Sequence, residues 1–290
     1  MTMLEKRVVL ITGASRGIGA ATARLLAKHG AAVAVNYINN AAAAERVVQD
    51  ITSGGGRAIA VQADVRVHGE VENMVKTVGE QLGPIDTLVL NAHINTPVAP
   101  IINQSWEAFE AKIIGEMRAA FNCVQAVVPG MLEPKKGCIV ATSSSTSQHP
   151  TFGTGGQSTA KSALDGLMKV LAVELGPAGI RVNMVAPGLT LTETAAHLPT
   201  QIKGMVASMT PLGRNGLPED VAGAILMLVL DEAGFVTGNS LSVDGGMHIG
   251  PSALNIARRP KSHEMRNEIS ASERRSRKWI SVETGHFVSY

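Results

Sequence analysis

The sequence predicts an α/β fold: a single domain on a doubly wound parallel sheet of about seven strands, with helices on both faces. Two observations carry this. Short apolar runs alternate with amphipathic helical stretches as far as residue 250, and strands that alternate with helices build parallel sheets covered on both sides. The first run, Val8-Val9-Leu10-Ile11, leads straight into Thr12-Gly13-Ala14-Ser15-Arg16-Gly17-Ile18-Gly19. That is the strand, glycine-rich turn and helix start that receive a dinucleotide diphosphate. Gly13 supplies backbone angles a side chain forbids. Gly17 lets the main chain approach the diphosphate, and Gly19 lets the helix lie close on the sheet. The open amides and dipole of the helix start favour the anion.

The first helix runs to about His29. Ala32 to Tyr37 follows as the second strand, and Ala41 to Ile51 as a helix ended by three glycines. Arg57 to Gln62 is the third strand, Val71 to Leu82 a helix closed by Gly83-Pro84, and Ile85 to Asn91 the fourth strand. A long helix, Trp106 to Leu132, precedes strand five at Gly137 to Thr142. The helix Gln157 to Leu175 stops at Gly176-Pro177 and feeds strand six, Ile180 to Val185. Pro187 to Met209 reads as a loop with a short helix, placed as a lid. Pro218 to Leu230 is a helix and Ser240 to Val243 the last strand.

The totals narrow the classes. A formal charge of +2 over 290 residues gives no case for nucleic acid. No apolar run reaches membrane-spanning length, and Met1 to Arg7 leads directly into the first strand without a secretory leader. Cys123 and Cys138 sit in apolar segments, so buried free thiols in a reducing cytoplasm are expected. No metal-ligating set is read. Residues 1–250 form the domain. Residues 251–290 are an extension with eight Lys/Arg against four Glu, readable as a solvated tail, a subunit arm or an anion-binding segment.

These motifs, with Asp64-Val65, Asn91-Ala92, Ser144, Lys161, Arg181-Val182-Asn183, Pro187-Gly188, Thr192 and Asp244-Gly245-Gly246 at matching spacing, resemble the short-chain dehydrogenase/reductase family over about residues 5–250. The resemblance implies a Rossmann-like NAD(P)-binding domain. It implies cofactor contacts at Gly13, Ser15, Arg16, Gly17, Ile18 and Gly19, and at Asn36 on the second strand. Further contacts fall at Asp64, Val65, Asn91, Ala92 and Lys161, and then at Pro187, Gly188, Thr190 and Thr192. In the family the position of Asp64 contacts the adenine, that of Asn91 braces the loops, and that of Lys161 holds the nicotinamide ribose. It also implies a homo-oligomer, tetramer or dimer, assembled through helices 106–132 and 157–175. The second strand ends in Asn36-Tyr37 with no carboxylate to take the ribose hydroxyls of NAD, and Arg16 offers a cation inside the turn. NADP(H) is therefore expected.

The pattern departs from the family at three positions. Four residues before Lys161, where the family carries its proton-donating tyrosine, stands Gln157, and an amide is no acid near neutral pH. Aligned on Phe121-Asn122, the family's helix-borne asparagine is Glu116 here, and the residue that follows Asn91-Ala92 is His93 rather than the family's glycine. The other tyrosines are Tyr37, at the adenosine end, and Tyr290, in the tail. The catalytic candidates are thus Ser144, Gln157, Lys161 and Glu116.

Ketone reduction creates an alkoxide that needs a positioned acid. Conjugate reduction of a C=C bond leaves a weakly basic enolate that neutral donors such as Ser144 and Gln157 can hold, with water, or a Glu116 raised by burial, protonating carbon. The 2,4-dienoyl-CoA reductases, a branch of the family, are similar in lacking the tyrosine while keeping the lysine. Three readings follow: NADPH-dependent reduction of an enoyl thioester or enone; 3-oxoacyl carbonyl reduction with a substitute acid such as His149, His93 or Glu116; and cofactor binding without turnover, as a partner subunit or sensor. The apolar lid residues Leu191, Leu198, Ile202, Met205 and Leu212 imply an apolar substrate portion, thioester-linked in the first two readings.

Overall fold

The computed structural model describes residues 3–250; the extension at 251–290, with Tyr290, lies outside the described residues. Seven strands run parallel in one sheet: β1 (Val8–Ile11), β2 (Ala32–Tyr37), β3 (Arg57–Gln62), β4 (Thr87–Leu90), β5 (Gly137–Thr142), β6 (Ile180–Pro187) and β7 (Ser240–Val243), in the order β3-β2-β1-β4-β5-β6-β7. The described residues form seven α-helices: α1 (Gly17–Lys28), α2 (Ala41–Ser53), α3 (His68–Gln81), α4 (Trp106–Leu132), α5 (Gly155–Leu175), α6 (Thr200–Met209) and α7 (Pro218–Val229). The expected class and strand count hold.

Because side chains alternate across a strand, each central strand feeds two cores. Leu10, Leu88, Ile139 and Met184 pack with Cys123, Val127, Met131 and Met168 on the α4/α5 face. Val9, Ile11, Val89 and Val140 pack with Leu26, Val47 and Ile225 under α1, α2 and α7. Each such fully buried aliphatic side chain contributes about 1.5–3 kcal/mol. Both cysteines are free and buried, and burial pushes their thiols up to about 12 for Cys123 and about 11 for Cys138. They are filling, not chemistry.

Element boundaries move where side chains bond to the backbone. Helix α3 begins at His68 rather than Val71, because Glu70 reaches back to accept the amide of Asp64 at 2.7 Å. That places a carboxylate in the first turn, where the helix dipole favours it. Strand β4 ends one residue early because Asn91 turns out of the sheet to bond elsewhere. Arg181 donates to the carbonyls of Leu228, Val229 and Leu230 at the end of α7, and Asn183 ties β6 to Val236 and Asn239. Those two motif residues serve the scaffold. Strand order reverses at β1, between β2 and β4. The crevice at the carboxyl ends of strands at such a point is where open α/β sheets bind ligands.

Candidate active site

The crevice is lined on one side by the glycine turn and on the other by the β4 loop, and the two are bonded into one unit. The Thr12 hydroxyl accepts the amides of Asn91 and Ala92, each at 2.9 Å. The Asn91 carboxamide donates to the carbonyls of Thr12 and Gly13, each at 3.0 Å. Gly13 and Gly17 hold left-handed backbone, φ +60° and +54°. A side chain on Gly17 would meet Thr192, from the segment after β6, at 3.2 Å. The first turn of α1 carries no acidic residue and no side-chain cap, so its amides are left for an anion. Arg16 is exposed beside them and has no ion-pair partner among the described residues. Ser15 and Ile18 are half-buried in the same turn.

Gly19 answers to a different neighbour than the sheet. A Cβ there would stand 2.6 Å from Asn91 Nδ2, 2.7 Å from the Gly13 carbonyl and 2.8 Å from Ala14 Cα. Two of the three are backbone, so the turn itself must move. Gly19→Ala is expected to cost about 1–3 kcal/mol, read as a lowered midpoint in urea with an unchanged m-value.

Asn36 corrects an expectation. Its side chain is buried, accepts the Gly13 amide at 3.1 Å and donates to the carbonyls of Ala63 at 3.1 Å and Val61 at 3.4 Å. It ties the turn to β2 and β3, and the scaffold engages both ends of its carboxamide. Tyr37, on the other face of the strand, is the half-buried side chain at that strand end. Asp64 is held by the Arg66 guanidinium, which keeps its carboxyl below the usual range. The Val65 carbonyl receives Asn122 Nδ2 at 3.1 Å.

At the other end of the crevice four side chains meet in the interior. Lys161, on α5, donates to the Thr142 carbonyl at 2.9 Å and lies 3.0 Å from Glu116 Oε2. Glu116 Oε1, on α4, pairs with Lys112 one turn earlier and lies 3.2 Å from His93 Nδ1. Lys112 also donates to the Ile94 carbonyl at 2.7 Å and lies 3.2 Å from His93 Nδ1. The side chains of Lys112, Glu116 and Lys161 are 0%, 2% and 5% exposed, and that of His93 is 41%.

Glu116 is the second correction. Burial alone would raise it into the range of an acid, but the charge of Lys161, the hydrogen bond with His93 and the charge of Lys112 outweigh burial and hold it well below the usual carboxylate range. Its neighbours favour the charged form, which argues against a role as the proton donor. Burial pulls Lys112 down to about 8, against the attraction of Glu116, with the charge of Lys161 pulling the same way as burial. Sequence reasoning missed Lys112 altogether. The signal was a Lys–Glu pair four residues apart on one helix, which ordinarily lies on a solvated face.

Ser144 accepts the Thr146 amide at 3.2 Å and shares a hydrogen bond with the Thr146 hydroxyl at 2.9 Å. Gln157 sits in the first turn of α5, half-buried, with a buried amide oxygen that has no hydrogen-bond partner among the described residues. Ser143, next to Ser144 in the chain, donates to Asp165 at 2.5 Å, an unanticipated tie between the end of β5 and α5. His149 lies outside the four-residue cluster, exposed, with its ring 6.0 Å from that of His248. Pro187 ends β6, Gly188 packs on Asp244, and buried Thr190 bridges to Gly216. The lid between carries α6, no residue of which is buried. No described helix is long and apolar enough to cross a membrane.

Comparison with known proteins matches a family model described as "Enoyl-(Acyl carrier protein) reductase" over residues 13–248. The chain is 40% identical over 248 residues to a 3-oxoacyl-[acyl-carrier-protein] reductase of Synechocystis sp., covering 85% of this chain and 99% of that protein. It is 36% identical over 240 residues to a protein of the same name from Staphylococcus epidermidis, covering 83% and 98%. Among solved structures it is similar to a double mutant of a Serratia marcescens short-chain dehydrogenase/reductase, with a TM-score of 0.79, 33% identity, and coverage of 85% and 99%.

Proposed function

This chain belongs to the short-chain dehydrogenase/reductase family of oxidoreductases, and from that membership and its site we propose that it reduces the activated C=C bond of an enoyl thioester or enone with NADPH. The observation that carries the reading is the combination at the inner end of the crevice. Position 157 is an amide, and the buried Glu116 carboxyl is paired with two lysines that hold it well below the usual carboxylate range. Neither can protonate an alkoxide as it forms.

The crevice fits a dinucleotide. Left-handed glycines and an open helix start suit the diphosphate, and Lys161, which donates to Thr142 and is ion-paired with Glu116, has N–H capacity left for a ribose. A reduced nicotinamide bound there supplies hydride to the β-carbon. Gln157 and Ser144 then serve as neutral donors to the enolate oxygen, aligned in the manner of an oxyanion hole. The apolar portion of the substrate lies against the lid, whose Leu191, Ile202, Met205 and Leu212 are exposed. Exposed Phe121, Ile114, Val170 and Val173 on the outer faces of α4 and α5 support a homo-oligomer through those helices.

Arg16 supports NADP(H). Arg16→Ala is expected to weaken NADPH binding about 10–100-fold, the loss of a charge-assisted contact of about 1.5–3 kcal/mol, and to leave NADH within a few-fold. Fluorescence titration with each dinucleotide reads this, and equal losses would make Arg16 a general diphosphate contact.

The second reading, 3-oxoacyl reduction, is favoured by the name carried by the Synechocystis and Staphylococcus relatives. One assay separates the two. Purified protein is given NADPH with an α,β-unsaturated thioester or with a 3-oxo thioester, and product mass is followed. Saturated thioester supports the proposal, and 3-hydroxy product supports the alternative. Cofactor binding without either product would mark a subunit or sensor that has lost turnover.

A further inference from the structure

Resting on the dinucleotide reading of the crevice above, we propose that Lys112 is a positioning residue for cofactor binding: it engages the Glu116 carboxylate so that Glu116 does not capture the Lys161 ammonium, which is left for the nicotinamide ribose. The bonds around these three buried side chains are unevenly shared. An ammonium has three N–H donors. Those of Lys112 are met by the Ile94 carbonyl at 2.7 Å, by Glu116 Oε1 and by His93 Nδ1 at 3.2 Å. Lys161 makes one aligned hydrogen bond, to the Thr142 carbonyl at 2.9 Å. Its nitrogen lies 3.0 Å from Glu116 Oε2, yet that buried oxygen accepts no aligned hydrogen bond among the described residues. Glu116 Oε1 accepts from Lys112 and, at 3.4 Å, from the Ile94 amide. Glu116 is therefore hydrogen-bonded to Lys112 and only in ionic contact with Lys161.

Burial makes that division consequential. The Glu116 side chain is 2% exposed, so its charge must be answered by the cations beside it rather than by water. Without the charge of Lys112, that whole attraction falls on Lys161, which turns a free N–H onto Oε2 across the 3.0 Å already separating them. The same N–H is then lost to a ribose hydroxyl. The groups facing Lys112 are Glu116 from its own helix, His93 from the loop after β4 and Lys161 from α5. Burial, with the two lysine charges, holds His93 below its ordinary 6.5 against the pull of Glu116, so the ring is neutral above about pH 7. Burial brings Lys112 down to about 8. Raising the pH through that value removes the same charge that a substitution removes.

Fluorescence titration of the purified protein with NADPH and with NADH tests this. Lys112→Met, an apolar side chain of similar length, is expected to weaken both dinucleotides about 10-fold or more, since the nicotinamide ribose is common to them. Lys112→Met combined with Glu116→Gln should bind within a few-fold of wild type, because the carboxylate that captures Lys161 is gone. Wild-type affinity should fall as pH rises through about 8, while that of Lys112→Met stays level over the same range. Lys112→Met binding as tightly as wild type, or a double variant as weak as the single one, would overturn the assignment and leave Lys112 a scaffold residue. If Lys112→Met does not fold, the wild-type pH profile decides, and a level profile overturns the proposal. A wild-type protein that binds neither dinucleotide overturns the cofactor reading itself, a different failure from one in which wild type binds and the substitution changes nothing.

Discussion

Gln157→Tyr is expected to raise reduction of a 3-oxoacyl thioester by roughly 10²–10⁴-fold, the equivalent of about 3–5 kcal/mol of barrier. Reduction of the matching enoyl thioester should stay level or fall. The substitution places a phenol one helical turn before Lys161, whose ammonium lies in the same interior cluster. An alkoxide demands a proton within the chemical step, so a positioned acid changes that rate most. An enolate is held by hydrogen bonds alone, and tyrosine replaces one donor with another. Steady-state rates on the two thioesters at fixed NADPH give the answer. A strong rise in alkene turnover would refute the role of the amide. A wild-type protein already fast on the ketone, and indifferent to the substitution, would refute the C=C reading.

Glu116→Gln is expected to destabilise the fold by about 3–5 kcal/mol, the cost of leaving buried charges without their partner. For a domain of this size that is a fall of roughly 6–20 °C in the unfolding midpoint. The amide keeps the shape of the side chain and abandons two buried ammonium groups, Lys112 and Lys161. The pH dependence identifies the cause. Glu116 is more acidic folded than unfolded, so its contribution is present above its ordinary value of 4.5 and is lost as pH falls through and below it. The variant should lack that acid limb. Lys112 is less basic folded than unfolded, so its burial cost is present below about 8 and is relieved as pH rises from there toward 10.5. Without Glu116 it gives up its proton earlier, and the deficit relative to wild type should narrow as pH approaches about 8. Urea unfolding at a series of pH values reads both limbs.

The scaffold was legible because its signals are local. The run Val8–Ile11, the glycines at 13, 17 and 19, and the stops at Gly83-Pro84 and Gly176-Pro177 each state a backbone requirement in neighbouring residues. The crevice was legible for the same reason. What the sequence hid depends on direction and depth. Asn36 and Tyr37 are adjacent, yet strand alternation points one into the scaffold and leaves the other at the surface. Glu116 was visible as a carboxyl near the lysine, but its ionisation is set by Lys112 and Lys161, and that requires knowing that all three are buried together. Ser143 and Asp165 lie 22 positions apart and meet only because β5 and α5 pack.

The reciprocal bonds among Thr12, Gly13, Asn91 and Ala92 make the dinucleotide side of the crevice rigid before any guest arrives. Helix α6, in the segment read as a lid, has no buried residue to anchor it. Tolerance to change is therefore unevenly shared between the two walls. On the proposed reading, drift in α6 would change the substrate side while leaving the dinucleotide side intact, whereas a Cβ at Gly13 or Gly19 meets backbone within about 3 Å. Such a molecule diversifies from one side only, keeping a common socket beneath an exchangeable cover.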